Sequence, residues 1–367
     1  MRAWVRTAAV VAVAAGLVTL SACGSGGSGG GAGKGGKPRI AVVTNTTDPF
    51  WDLCEAGAKK AAQDLNVDLL FRQPEKLDAS IQTPIIESFI KQGVDGIAIS
   101  VIDPKGQGED LTRWAKKLPL VTMDNDADPA TGRRCYIGVD NKLAGRAAGR
   151  LVRQTIPNGG TIGLFIGNNS SANAIGRISG VLEELATPDA NGKPGTHPQK
   201  PNVSGKWYGK YFLVDGEAKT DGGPGPVALS NAQSMLGRLE GVNDICLVGL
   251  YAYNPPAILE AVKSKSLTGK VKIVGFDEQL PTLEAVAAGE IVGTVVQDPY
   301  NYGYKSVEVL AALAKKDDSK LVKGSMPYQV VTQNGGPDQT VDGLTIKHPK
   351  GADYAATVKA QLASVRK

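Results

Sequence analysis

Histidine is nearly absent. The 367 residues hold two, His197 and His348, both in polar, loop-like surroundings. A hydrolytic triad or a histidine-ligated metal has little to work with here. Cysteine is scarce as well, four in all. Cys54, Cys135 and Cys246 lack the spacing of a metal site, and three thiols allow at most one disulfide; buried free thiols are the expectation. No Gly-x-Gly-x-x-Gly follows the first apolar strand, and no Gly-x-Ser-x-Gly elbow joins a strand to a helix, which removes the usual dinucleotide and hydrolase signatures. Acid pairs such as Asp124/Asp126 could imitate a glycosidase, but turn-rich Asp clusters are usually solvated. The net charge of +5 is spread along the chain without a basic stripe. With no helix-turn-helix segment ahead of the first strand, nucleic acid is not an expected partner. The chain reads as a non-enzyme without a cofactor.

Long hydrophobic runs are missing too. Residues 8–20, after Arg2 and Arg6, form an apolar stretch too short for a stable membrane span. It ends in Leu20-Ser21-Ala22-Cys23, which resembles the lipobox of bacterial lipoproteins. The resemblance implies a signal peptide over 1–22 and lipidation of Cys23. The Gly/Ser-rich stretch that follows, within a 23–38 tether, would have a root-mean-square reach of roughly 20 Å. The expected product is exported, to the periplasm or cell surface, and anchored to a membrane by lipid.

About 330 residues remain, enough for two domains of ordinary size. The organising stretch is 39–51, Arg-Ile-Ala-Val-Val-Thr-Asn-Thr-Thr-Asp-Pro-Phe-Trp. Its first half reads as a buried strand, and Asp48-Pro49 then starts a helix over 50–65 with Leu53, Gly57, Ala61 and Leu65 on one face. Short apolar strands continue to alternate with helices: strands at 67–71, 96–101, 120–123 and 136–139, with helices at 80–92 and 109–117. A second unit follows a helix at 143–155. Its strands are expected at 161–166, 211–214, 245–250, 271–276, 291–296 and 328–332. Its helices are expected at 177–185, 227–239, 255–265 and 281–288, with another at 305–314. Residues 187–205 read as a surface insertion, and 354–365 as a peripheral helix. Two such βα units predict a two-lobed α/β protein of parallel sheets with a cleft between them.

Seven short motifs then arrive in order: Asp-Pro-Phe-Trp at 48–51, Val-Asp-Gly-Ile at 94–97, Val-Thr-Met-Asp at 121–124, Ile-Gly-Val-Asp-Asn at 137–141, Gly-Arg-Ile-Ser-Gly at 176–180, Val-Gly-Phe-Asp at 274–277 and Val-Val-Gln-Asp-Pro-Tyr at 295–300. In this the chain resembles the sugar-binding proteins of ABC transporters of the ribose/galactose type, whose ligand-binding body is shared with lac-repressor-like regulators. The resemblance covers roughly residues 39–332. It implies a type I periplasmic binding protein, two doubly wound lobes joined by a three-segment hinge that close on a small ligand. Crossings would fall near 139–141, 297–299 and 331–333. One lobe would comprise 39–138 plus 298–330, the other 139–297 plus 331–340, with 341–367 as an extension. A monomer serving a membrane permease is implied, or else a sensor of the same fold coupled to a membrane kinase or chemoreceptor.

Sugars are held by planar polar groups that meet hydroxyls and by aromatic faces that cover C–H surface. Asp48, Asp124 and Asp277 each follow a strand and can accept. Arg177 can donate through its fork, Gln297 can do both, and Phe50 and Trp51 supply rings. Ser100 also stands at a strand end. The family often has Arg after the aspartate matching Asp124, and Asn-Asp after the strand 245–250. Here Asn125 stands in the first place and Tyr251-Ala252-Tyr253-Asn254 in the second. Asn125, Asn173 and Tyr251 therefore complete the candidate set, and the ligand is expected to be a sugar or a related polar molecule.

Overall fold

The computed structural model describes residues 36–188, 203–341 and 343–364. The expected signal sequence, Cys23 and most of the insertion at 187–205 lie outside these residues.

The first lobe is laid down as β1 (Arg39–Val43), α1 (Pro49–Leu65), β2 (Asp68–Arg72), α2 (Ala79–Lys91), β3 (Gly96–Ile99), α3 (Gly108–Ala115), β4 (Leu120–Met123) and β5 (Tyr136–Ile137). The strands form a wholly parallel sheet in the order β2-β1-β3-β4-β5. Residues Ile40–Val43 and every residue of β3 and β4 are buried. That is why these segments read as unbroken apolar runs: helices cover both faces of a parallel sheet.

The second lobe continues as α4 (Asn141–Thr155), β6 (Gly160–Ile166), α5 (Ala172–Ala186), β7 (Gly205–Tyr208), β8 (Tyr211–Val214), β9 (Lys219–Thr220), α6 (Pro226–Arg238), β10 (Ile245–Gly249), α7 (Asn254–Ser264), β11 (Val271–Phe276), α8 (Leu280–Ala287) and β12 (Gly293–Val296). Then come α9 (Pro299–Ala314), β13 (Gln329–Thr332), the hairpin β14 (Gln339–Val341) and β15 (Leu344–Ile346), and α10 (Gly351–Ala363). The second sheet runs β13-β12-β11-β10-β6-β8-β7, with β9 beside β6. Its core strands are parallel, and only the edge pairs β12/β13 and β7/β8 are antiparallel. Helix α9 packs back onto β1, β3, β4 and β5 of the first sheet. The chain thus crosses between the sheets after β5, after β12 and ahead of β13.

Several boundaries differ from expectation. The third crossing precedes 331–333, because Gln329 and Val330 already pair with Val296 and Val295 of the second sheet. Helix α5 starts at Ala172, not 177: Asn168 Oδ1 accepts from the backbone N–H of Ser170 and Ser171 and turns the chain into the helix. Helix α9 starts at Pro299, not 305, since Asp298 caps it and proline suits a first turn. Strands β7, β9, β14 and β15 were not anticipated; all are short and at least half exposed in part. Cys54, Cys135 and Cys246 are buried free thiols.

Two close helix contacts set the site. A Cβ at Gly57 of α1 would lie 1.8 Å from the Tyr300 carbonyl oxygen of α9, so the helix carrying Phe50 and Trp51 seats directly on its neighbour. A Cβ at Gly145 of α4 would lie 2.3 Å from the carbonyl oxygen of Arg177 on α5. Glycine there lets the turn bearing Arg177 approach the sheet ends.

Candidate functional site

The carboxyl ends of both parallel sheets face one cleft, where open α/β sheets take ligands. It holds a cavity, partly open to solvent and lined by residues of both lobes. Asp48, Phe50, Trp51 and Asp124 contribute from the first lobe; Asn173, Arg177, Tyr251 and Asp277 from the second. Eight of the eleven expected ligand contacts therefore come together at one place.

Asp48 serves two ends. Its Oδ1 caps α1 by accepting from the Phe50 N–H at 2.8 Å and also accepts from Gln279 Nε2 of the other lobe at 2.9 Å. Its Oδ2 is buried with no protein donor. Phe50 and Trp51 meet edge to face, ring centroids 4.8 Å apart, and Trp51 Nε1 donates to Asn45 Oδ1. This locks the two rings against the cavity wall.

Arg177 is 1 % exposed. Its Nη1 donates to the Leu250 carbonyl at 2.7 Å and its Nε to Asn141 Oδ1 at 3.0 Å, while the guanidinium lies over the Phe276 ring at 4.1 Å. Its Nη2 has no hydrogen-bond acceptor. Asp124 Oδ1 and Asp277 Oδ2 each stand 3.6 Å from the guanidinium, close enough for charge attraction but too far for a good hydrogen bond. Both aspartates sit at strand tips with left-handed backbones, φ 58° and 69°, a conformation that short polar side chains tolerate.

Burial governs the electrostatics. Desolvation pushes the Asp277 carboxyl up to about 7 against the opposing pull of Arg177, with the Asp124 charge adding to the rise. Desolvation likewise raises Asp124 and Asp48 above the usual carboxylate range. Behind them Glu278, whose carboxylate accepts from the backbone N–H of Gln297 and Asp298 at the second crossing, is raised further by burial and by Asp277.

Ser100, Asn125 and Gln297 do not line the cavity. Ser100 Oγ donates to Asp124 Oδ2 at 3.3 Å, and Gln297 Nε2 donates to Asp277 Oδ1 at 2.5 Å, so both hold a lining carboxylate from behind. Asn125 Nδ2 donates to the Val101 carbonyl, and its Oδ1 accepts the Asn173 N–H at 3.0 Å. It links the lobes instead of facing the ligand space. The chain doubles back at Asp124, with the Asn125 N–H on the Met123 carbonyl, and this turns the Asn125 amide toward β3.

Asn45, Thr46, Leu77, Gly223, Pro224, Ala252 and Tyr253 line the cavity without having been anticipated. Tyr253 OH donates to Asp221 Oδ1 at 2.7 Å, and Asn254 Nδ2 to Asp221 Oδ2 at 2.8 Å. Asp221 Oδ1 also accepts the Gly223 N–H, so one half-buried carboxylate fixes both Tyr253 and the Gly-Gly-Pro loop. Tyr251 OH donates to Asn173 Oδ1 and shares a hydrogen bond with Ser171 Oγ. Gln82, buried on a helix read as apolar, bonds the carbonyls of Thr44 and Ser100 and so ties together the ends of β1 and β3.

Two lobes of parallel sheet with a lined cleft define a binding protein of the type I periplasmic architecture. The model of the periplasmic binding protein domain matches residues 40–318, and the chain belongs to that family. Among curated relatives, a fructose import binding protein of Bifidobacterium longum is 24% identical over 312 residues, covering 82% of this chain and 86% of the relative. A D-ribose/D-allose-binding protein of Pseudomonas aeruginosa is 28% identical over 276 residues, 71% of this chain and 77% of that one. Among solved structures, an ABC transporter solute-binding protein of Burkholderia graminis in complex with D-arabinose superposes with a TM-score of 0.70 at 25% identity, covering 81% of this chain and 96% of that one.

Proposed function

We propose that this protein captures a sugar or closely related polyhydroxylated molecule between its lobes and delivers it to an ABC importer. The observation that carries the reading is a pair of buried, unmatched polar atoms, Asp48 Oδ2 and Arg177 Nη2, on residues that line one cavity from the two lobes. An orphaned acceptor and an orphaned donor are costly when empty and are satisfied together by a ligand bearing several hydroxyls. Phe50, Trp51, Tyr251 and Tyr253 provide the apolar faces such a ring requires. Because the contacts come from both lobes, ligand holds the lobes together, and the permease reads the closed form. The names of the relatives, sugar-binding and import-binding proteins, agree with binding and not catalysis as the task. The protein acts as a monomer, and the Asp124, Asp277 and Arg177 side chains form the polar centre of its site.

Thermal unfolding of the purified protein against monosaccharides, polyols, nucleosides and amino acids tests this. A ligand at one hundred times its dissociation constant stabilises the native state by about 2.7 kcal/mol, and the hit is expected among sugars or polyols. A response confined to nucleosides or amino acids would discard the sugar.

The lipobox-like Leu20-Ser21-Ala22-Cys23 further supports an exported protein tethered through Cys23. Replacing Cys23 by Ser is expected to move the protein from the membrane to the soluble fraction with its ligand affinity unchanged. Retention in the membrane fraction would defeat the anchor.

A further inference from the structure

The charge of the cavity is lopsided. Three carboxylates, Asp48, Asp124 and Asp277, line it against the single guanidinium of Arg177. That guanidinium is already divided between Asp124 and Asp277, at 3.6 Å from each. Asp48 is left over. It is 7 % exposed, its Oδ1 is taken by the Phe50 N–H and by Gln279, and its Oδ2 meets no donor among the described residues. A neutral hydroxyl reaching Oδ2 would supply one hydrogen bond, whereas a carboxylate in a desolvated pocket gains most from a partner of opposite charge. An ammonium group would supply both the donors and the missing charge, and charge-assisted bonds are about twice as strong as neutral ones. The rings of Phe50, Trp51 and Tyr253 share the cavity with Asp48, and aromatic faces attract cations further.

We infer that the ligand is a polyhydroxylated molecule carrying a protonated amine, an amino sugar or amino polyol, with its ammonium group held at Asp48. This deepens the sugar reading and rests on it. The amine sits at the Asp48 end of the cavity, and the hydroxyls meet Arg177, Asp124 and Asp277.

Titration calorimetry at pH 7 with matched pairs tests the inference: glucose with glucosamine, galactose with galactosamine, mannose with mannosamine. At least one amino sugar is expected to bind tenfold or more tightly than its hydroxyl parent. Asp48→Asn is expected to abolish that advantage. Asparagine remains a good helix cap, so the unfolding temperature of the variant reports whether the fold survives. A parent sugar that binds as tightly as its amino partner overturns the inference and leaves the sugar reading standing. An amino preference that persists in Asp48→Asn overturns the assignment of the cation. Silence of all six compounds while a neutral pentose or polyol binds likewise overturns the inference alone. Silence across every sugar and polyol sinks both.

Discussion

Replacing Arg177 by Ala is expected to weaken ligand binding by about 2–5 kcal/mol, the range for removing one partner of a buried, hydrogen-bonded charge, or between tens- and thousands-fold in affinity. The side chain is fully buried, and its guanidinium donates from Nη1 to the Leu250 carbonyl and from Nε to Asn141 Oδ1 while lying over the face of Phe276. One nitrogen, Nη2, is left free at the cavity. Among the described residues lining that cavity, the same guanidinium is the only positive charge. Its loss removes a ligand donor and leaves Asp124 and Asp277 without compensation. Arg177→Lys is not expected to restore binding, because an ammonium point charge cannot reproduce a fork anchored at Nε and Nη1 while presenting Nη2. Calorimetry on the variant decides: affinity like the parent's would mean that the site is misplaced.

The ligand-free protein is expected to become less stable as pH rises from about 4 to about 7. Asp277 titrates near 7 when folded and near the ordinary Asp value of about 3.9 when unfolded. Below both values it carries a proton in either state, and its stabilising contribution is fully present. Between them the folded chain keeps the proton that the unfolded chain has released. Stability therefore falls as pH rises through the window, by an amount on the order of a few kcal/mol. Asp124, Asp48 and Glu278 are raised by burial as well and push the same way. Paired carboxylates oppose them at the acid end. Asp215, held low by its hydrogen bonds from Arg238 and Lys219, loses its contribution only as pH falls well below the usual carboxylate range. The unfolding temperature should thus be higher at pH 5 than at pH 7.5, and Asp277→Asn should reduce the difference. A flat or rising profile across that interval in the parent protein would show that the cluster is not desolvated as described.

Much of the site was legible because buried parallel strands write themselves as apolar runs, and the residue where a run stops marks the sheet edge. Asp48, Asp124 and Asp277 were found that way. The resemblance of the dispersed motifs added Arg177, which lies on a helix and carries no local signal of its own. What the pattern could not say is which of several consecutive polar residues turns inward. Asn125 follows Asp124 directly, yet the left-handed backbone at Asp124 sends the two side chains to different places. Ser100 and Gln297 sit at comparable strand ends and point at the carboxylates instead of at the cavity. Residues that reach the cleft by long-range packing left no trace. Leu77 comes from a loop of the first lobe and Gly223 from a loop of the second, and a Cβ at Gly223 would lie 3.8 Å from that of Leu77. Tyr253 owes its position to Asp221, 32 residues away. Hydrophobic periodicity also hid Gln82, an amide buried among isoleucines because two strand-end carbonyls need its donors.

The two unmatched atoms, Asp48 Oδ2 and Arg177 Nη2, are expected to meet one ligand between the lobes. A crystal structure of the protein with the tightest-binding compound from the unfolding screen tests it most directly. Ligand polar atoms are expected within about 3.2 Å of both atoms, with the ligand ring against Phe50 or Trp51. A ligand seated elsewhere, or a complex in which both atoms remain unpaired, would contradict it.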